Sequence, residues 1–404
     1  MPAIPTASDR SFSCAVRVNG EASDSLLKCI QSVTVEEDLD VGSSCSIELQ
    51  ACRNEDGSWP YLEDANLQVW NRVTVYAAFP KQTEVVFDGY ISNMSCRTSA
   101  EAANMVVEIS GVDASYHMNQ DEKTRIWRGK TYEDIAAEIF GEYEFKPVVA
   151  EAPAAATEPP LQVAQRSTDH RFLRELARRR GYEFYVLGAN AYFRPADLTG
   201  APQKLIAAHF GDQTNCNDLR FDSDGTAPTE AQVSYFDAME GTAVHAVETE
   251  SSLPALGTQP LSGLRGEVGM PQARRIARGL GFHSNAQAAD YAAGMLRRNG
   301  WWVTATGSLD GLRYGQVLRS RKLVTVKGAG PNFNGNYYVR KVRHQLGSRT
   351  YQMHFELARN ALGTLGTEDY EGESPDAMGP AAAGAGIDTD PIEVAASGAR
   401  VLPA

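Results

Sequence analysis

Apolar and polar positions alternate through the first quarter of the chain. Ser32-Val33-Thr34-Val35-Glu36, Cys45-Ser46-Ile47-Glu48-Leu49-Gln50, Val73-Thr74-Val75-Tyr76 and Val106-Val107-Glu108-Ile109-Ser110 carry the period of a half-buried strand. Asp40-Val41-Gly42-Ser43, Asn54-Glu55-Asp56-Gly57 and Asp88-Gly89 have turn chemistry and separate these runs. The stretch from Phe12 to Met118 therefore predicts an antiparallel barrel or sandwich.

After Trp127 the period lengthens to that of helices. Thr131 is placed to cap a helix with Ile135, Ala136, Ile139 and Phe140 on its apolar face and Gly141 as its stop. A Pro- and Ala-rich connector from Ala152 to Pro160 predicts an exposed loop. Ser167-Thr168-Asp169 then starts a second helix that closes at Gly181. One side of it carries Phe172, Leu173 and Leu176, the other Arg171, Arg174, Arg178, Arg179 and Arg180. Tyr182 to Val186 and Ala191 to Arg194 flank Gly188-Ala189-Asn190 in the form of a hairpin, so the middle stretch reads as a small α+β unit.

Strand patterning returns at Ala231 to Phe236 and Thr242 to Val247. A loop rich in Gly, Pro and Leu follows from Ser251 to Gly269. A helix capped near Ser284 carries Ala289, Ala292, Ala293 and Leu296 ahead of Gly300, and strands resume from Trp301 to Leu357. Beyond Leu362 the Gly-, Ala-, Pro- and acid-rich composition predicts a flexible tail unless a partner holds it.

A pattern recurs at the two ends of the strand-rich sequence. Val73-Thr74-Val75, then Phe87-Asp88-Gly89-Tyr90-Ile91, then Met105 to Ile109 is matched by Val324-Thr325-Val326, then Phe333-Asn334-Gly335-Asn336-Tyr337-Tyr338-Val339, then Tyr351 to Leu357. A strand, a Gly-containing turn and a strand pair thus occur twice, as two β units of one type would require. Any two antiparallel hairpins also share such features, so the repeat alone does not decide the matter.

Composition removes several classes of function. Hydrophobic residues make up 43% and charged residues 22% of the 404 residues, and no apolar run approaches the ~18 residues of a membrane helix. A soluble chain without membrane insertion is expected. Met1 to Ala7 has no basic segment leading into an apolar stretch, so cytoplasmic synthesis without a signal peptide is expected too. The six cysteines are sparse and show no CxxC pairing, which predicts reduced, buried thiols. A net charge of -13 argues against general nucleic-acid binding. None of the seven histidines falls in HExxH or in finger spacing, and no GxSxG elbow is present. Gly330 to Gly335 has the glycine spacing of a phosphate loop, but Asn336-Tyr337 stands where Lys and Ser or Thr are needed, so it predicts a hairpin turn. No catalytic, cofactor-binding or metal-binding residue is predicted. Trp59, Trp70, Trp301 and Trp302 are candidates for either an interface or the core.

Three segments resemble a known family. They are Leu161 to Ala177 with Gly181-Tyr182-Glu183-Phe184, Gly307 to Val317, and Phe333 to His344. In them the chain resembles the phage late-control D group, the baseplate hub proteins of contractile tails, and the hub half of type VI secretion VgrG proteins. The resemblance implies a mainly β fold of two tube-type antiparallel β-barrels with a mixed middle domain, assembled as a homotrimer. It places a first barrel at 1–125, an α+β domain at 126–225, a second barrel with a helical insertion at 226–362 and a tail at 363–404. The implied function is a non-enzymatic hub in a phage-like or injection particle, adapting a six-fold inner tube to a three-fold spike. Implied partners are inner tube proteins, baseplate proteins and a separate spike, because no β-helical needle follows the second barrel. Arg171, Arg174, Arg178 and Arg179 are the candidate partner contacts. The alternative is a tail-associated peptidoglycan hydrolase or glycan-binding β protein.

Overall fold

The computed structural model describes residues 12–370 apart from 23–28, 51–55, 59–60, 62–63, 81, 98–104, 153–161, 238–240, 279–280, 283 and 348–349. Cys52, Trp59, His283, the expected connector beyond Ala152 and the tail beyond Tyr370 lie outside the described residues.

The first strands are β1 (Ser13–Val18), β2 (Glu21–Ala22), β3 (Ile30–Asp38), β4 (Gly42–Gln50), β5 (Arg72–Ala78), β6 (Thr83–Arg97) and β7 (Val106–Val112). The middle of the chain forms β8 (Glu122–Arg128), α1 (Tyr132–Glu142), β9 (Lys146–Val149), β10 (Gln162–Thr168), α2 (Asp169–Arg180), β11 (Glu183–Leu187) and β12 (Asn190–Arg194). Strands β13 (Gln203–Ala207) and β14 (Cys216–Ser223) follow. An excursion through β15 (Glu230–Asp237), β16 (Thr242–Glu248), β17 (Gln259–Pro260), α3 (Leu261–Glu267), β18 (Arg274–Arg278) and α4 (Asn285–Asn299) comes next. The chain then closes with β19 (Val303–Asp310), α5 (Gly311–Tyr314), β20 (Leu323–Lys327), β21 (Gly335–Leu346), β22 (Tyr351–Arg359) and β23 (Ala361–Leu362).

The protein is mainly β, and its largest feature is one 13-stranded sheet. Its first part runs β3-β4-β7-β6-β5-β1-β2, and its second runs β14-β19-β22-β21-β20-β13. Taken in chain order, β1, β3, β4, β5, β6 and β7 occupy the same places in the first part as β13, β14, β19, β20, β21 and β22 in the second. The halves differ at one edge, where β1 lies antiparallel to β5 but β13 lies parallel to β20. They also differ between the first two strands counted inward from the other edge, where a tight turn joins β3 to β4 but the excursion from β15 to α4 joins β14 to β19.

Antiparallel pairing of β3 with β21, from Asp38↔Lys341 to Val33↔Leu346, makes the two halves one sheet. A single apolar cluster runs through both, from Val35, Ile47, Val75 and Ile109 to Val303, Val324, Val342 and Leu357. A buried polar seam reinforces the junction. Glu37 Oε1 accepts from Arg319 Nη1 at 3.0 Å, Glu37 Oε2 accepts from the Ser320 amide at 2.8 Å, and Glu84 Oε1 accepts from the Val317 amide at 3.1 Å.

Asp88-Gly89 is not the turn its composition predicts. Strand β6 runs through it, because the Asp88 carboxylate takes the Arg72 guanidinium at 2.8 and 2.7 Å across the β5–β6 ladder. Gly89 instead serves a close approach: a Cβ there would sit 2.2 Å from the Val112 carbonyl oxygen. The second copy behaves as expected, with a turn at 331–333 and Gly335 opening β21 at φ 129°.

The middle elements pack around Ile139, Phe140, Phe172, Leu173, Leu176 and Phe193. Thr131 and Asp134 form a reciprocal capping box on α1, Thr168 caps α2, and Gly181 ends α2 in the left-handed conformation at φ 66°. Strands β13 and β14, whose residues fall within the expected middle stretch 126–225, hydrogen-bond into the large sheet, so its second half begins at Gln203. Helix α4, capped by Ser284, covers Ala231, Val233, Tyr235 and Ala246 of the excursion's three-stranded sheet. The start of the expected tail folds back: Gly363 N donates to Asn332 O at 3.0 Å and Lys327 Nζ to Tyr370 O at 2.9 Å. Trp302 is buried and donates to Asn360 O at 2.7 Å, so it is a core residue of this chain. No helix among the described residues is long and apolar enough to cross a membrane.

Candidate functional site, an arginine-lined cleft

Helix α2 separates its arginines by local geometry. Arg180 lies on the buried side with only 3% exposure and does not belong to the outward basic face. It bridges Glu133 of α1 at 3.2 Å and Asp290 of α4, with its guanidinium over the Tyr132 ring. Burial raises both carboxyls' pKa values while the arginine charge opposes that rise. Arg171 is exposed beside Glu122 at 3.7 Å, and Arg179 pairs with Glu175 one turn back at 2.6 Å. Arg174 and Arg178 face a cleft instead.

The cleft exists because α2 and α4 touch at their backbones. A Cβ at Gly294 would stand 2.2 Å from the Arg179 carbonyl oxygen, and one at Gly181 would stand 2.5 Å from the Gly294 carbonyl oxygen. This approach brings the C-terminal turn of α4 over the end of α2. Arg298 Nη1 donates to the Arg178 carbonyl at 2.8 Å, and Arg297 Nε donates to Ser252 Oγ at 2.6 Å. The β3–β4 turn and β21 supply the remaining wall through Asp40 and Arg340, 3.8 Å apart.

The resulting cleft holds about 100 Å³. Its lining includes Arg174, Arg178, Arg297, Arg298 and Arg340 against the carboxylates Asp40 and Glu183. Burial pushes the Glu183 carboxyl up from its usual range, toward the neutral form, while Tyr338 donates to it at 2.8 and 2.9 Å. Arg298 is pushed down by burial and by Arg178 and Arg275 nearby. Trp301, stacked on Tyr338 with ring centroids 5.5 Å apart, gives the cleft an apolar wall together with Leu253 and Phe184. Forked, always-charged donors beside an apolar wall suit recognition of a carboxylate or other anion.

Of the sequence-predicted contacts, the structure brings Arg174 and Arg178 together and leaves Arg171 and Arg179 elsewhere on the helix. Sequence reasoning missed Arg297, Arg298 and Arg340. The pair Arg297-Arg298 at the end of an alanine-rich helix is the one signal that pointed to them. Among the described residues no group of His, Cys, Asp or Glu is placed to hold a metal ion. Cys14, Cys29, Cys45, Cys96 and Cys216 are free thiols, with burial pushing Cys14 up to about 12.

The fold recurs among tail proteins. A 43 kDa tail protein of prophage MuSo2 from Shewanella oneidensis matches with a TM-score of 0.60 at 15% identity, covering 87% of this chain and 100% of that one. A tail protein from Neisseria meningitidis MC58 matches with a TM-score of 0.61 at 13% identity, covering 87% of this chain and 98% of that one. A chain of the Francisella PdpA–VgrG complex matches with a TM-score of 0.52 at 10% identity, covering 90% of this chain and 60% of that one. The chain thus has the fold of phage tail and VgrG-type proteins. Residues 8–348 match the family model described as Alg8 N-terminal domain, and the chain belongs to that family. No curated protein matches the sequence.

Proposed function

We propose that this protein is a non-enzymatic structural subunit of a phage tail or contractile injection system, acting as the hub between a six-fold inner tube and a three-fold spike. The observation that carries the reading is the shared strand order of the two halves of the sheet. A chain holding two like modules presents six of them when three copies form a ring, which matches six-fold stacking on one face and three-fold symmetry on the other. Each half then acts as one tube-type barrel unit, with domains at about 12–121, 122–202 and 203–362, the excursion being an insertion in the third. The chain is made in the bacterial cytoplasm and incorporated in the particle. Its partners are two further copies of itself, inner tube proteins, other baseplate proteins and a separate spike, with Arg171, Arg174, Arg178 and Arg179 among the contact residues. The likeness in fold to tail proteins and to a chain of a VgrG complex supports the reading. Measurement of the mass of the full chain in solution tests it directly. Three copies per particle are expected, with no release of fragments from peptidoglycan; a stable monomer that cleaves peptidoglycan overturns it.

A further inference from the structure

We propose that the cleft between α2, α4 and β21 binds an acidic peptide segment of a partner protein, its carboxylates on Arg174, Arg178 and Arg298 and an adjoining apolar side chain against Trp301. This deepens the reading of the arginines as partner contacts and rests on it for Arg174 and Arg178.

Charge placement is the first argument. The protein carries a net charge of -13, yet this one concavity gathers five arginines against two carboxylates. Arg171 and Arg179 show how the same helix treats its cations outside the cleft, each beside a glutamate. Arg174 and Arg178 have no such acidic partner among the described residues and lie beside more arginine. Like charges held together in a partly desolvated concavity cost free energy, and the depressed affinity of Arg298 for its proton is the same cost seen from one member. An anion that enters the cleft removes that cost and is bound with corresponding preference.

Shape and lining decide which anion. A nucleic-acid backbone needs a row of cations along its length, and a chain this acidic repels an extended polyanion. The cleft is small, about 100 Å³, with Asp40 and Glu183 among its lining beside the apolar Trp301, Leu253 and Phe184. Those features suit a few carboxylates next to an aromatic or aliphatic side chain, which is the make-up of an acidic peptide. Its position also fits a docking point, since the middle unit, the excursion and both halves of the sheet all contribute to it.

The experiment uses the full chain and a fluorescein-labelled octapeptide alternating glutamate with phenylalanine, read by fluorescence anisotropy. Saturable binding that weakens with salt is expected, and the double variant R174E/R178E should lose about tenfold or more in affinity. R220E, at an exposed arginine of β14 outside the cleft, should bind as the unaltered protein does. The control should melt with the unaltered protein and the double variant at the same temperature or above it, since it relieves repulsion among the cleft arginines and none of these side chains joins the core; a lower melt in the double variant moves the comparison to R174Q/R178Q, for which a loss of affinity is again expected. Equal binding by the arginine variants, or tighter binding of a single-stranded oligonucleotide of the same charge, overturns the proposal. The mass of each protein in solution is recorded alongside, so that failure of three-fold assembly is distinguished from failure of the cleft to bind.

Discussion

Two buried side chains show how much of this fold hangs on single polar groups. Arg359 is fully buried and lies over the Tyr337 ring, and its guanidinium spans three loops. Nη1 donates to Asn334 O at 2.9 Å, and Nη2 donates to Leu256 O and, at 2.6 Å, to Gly363 O. A planar fork reaches three carbonyls where a lysine ammonium cannot. Arg359→Met should lower stability by about 3 kcal/mol, read from the urea midpoint, by leaving these buried acceptors unpaired. Arg359→Lys should recover less than half of that loss, and full recovery would mean that charge matters more than geometry.

His344 makes stability depend on pH. It is wholly buried in β21, its Nδ1 2.8 Å from the Tyr351 hydroxyl and its Nε2 3.9 Å from Glu37 Oε1. Burial holds its pKa down, to about 4 from 6.5, although Glu37 pulls upward. In the unfolded chain it takes up a proton near pH 6.5, so between there and about 4 the unfolded state binds more protons. Its neutral form therefore supports the fold above pH 6.5, and that support drains away as pH falls toward 4. Glu37, whose pKa is lowered by Arg319 and His344 against its burial, adds a loss in the same direction below about 4.5. His344→Phe should flatten the stability profile between pH 6.5 and 4 relative to the unaltered chain; an unchanged slope in urea unfolding would place the dependence elsewhere.

At the scale of elements, the contact between α2 and α4 reverses the ordinary rule for helical glycine. Glycine in a helix interior is worse than alanine by up to about 1 kcal/mol, so Gly294→Ala ought to stabilise α4. The Arg179 carbonyl, 2.2 Å from where the new Cβ would lie, cannot yield without moving the end of α2. The variant should instead lose about 1 to 3 kcal/mol and loosen the excursion, seen as faster amide exchange in β15 and α4. Protection equal to that of the parent would show that the helices part freely.

This contact also marks the limit of what the sequence discloses. Strands such as β3, β4 and β7 are visible because one face is buried and the other wet, and α1, α2 and α4 because Thr131, Thr168 and Ser284 cap them. Gly294 looks like an ordinary residue of an alanine-rich helix, since its reason lies 115 residues away at Arg179. Arg180 looks like its neighbours because residue type does not say which side of a helix is covered. Asp88-Gly89 has turn composition yet serves strand packing, because an Arg72 partner and the Val112 backbone decide its conformation. Strand β13 escaped notice because its ladder is with β20, far along the chain. The cleft was half legible, as its α2 wall is one periodic face while its other walls come from distant segments.

For the molecule as a whole, the seam at Glu37 and Arg319 decides whether the two halves of the sheet behave as one body. Arg319 lies in the loop before β20, but it serves the first half, donating to Glu37 of β3 at 3.0 Å and to the Val85 and Val86 carbonyls of β6. Gln203 Oε1 in turn accepts from the Arg319 amide at 2.8 Å, tying β13 to the same loop. Together with the β3–β21 ladder and the shared core, these bonds link strands separated by most of the sequence. Arg319→Met leaves Glu37 as a charge buried without its partner, at a cost of roughly 3 kcal/mol. If the halves form one cooperative body, that loss should appear as reduced amide protection in β3 and β6 as fully as in β20. Adding Glu37→Gln should restore part of it, because the two residues act as a pair and their effects will not add. Loss of protection confined to β20 and β21 would mean that the halves open independently. The proposed ring assembly requires the first outcome, since force applied to either module is then borne by both.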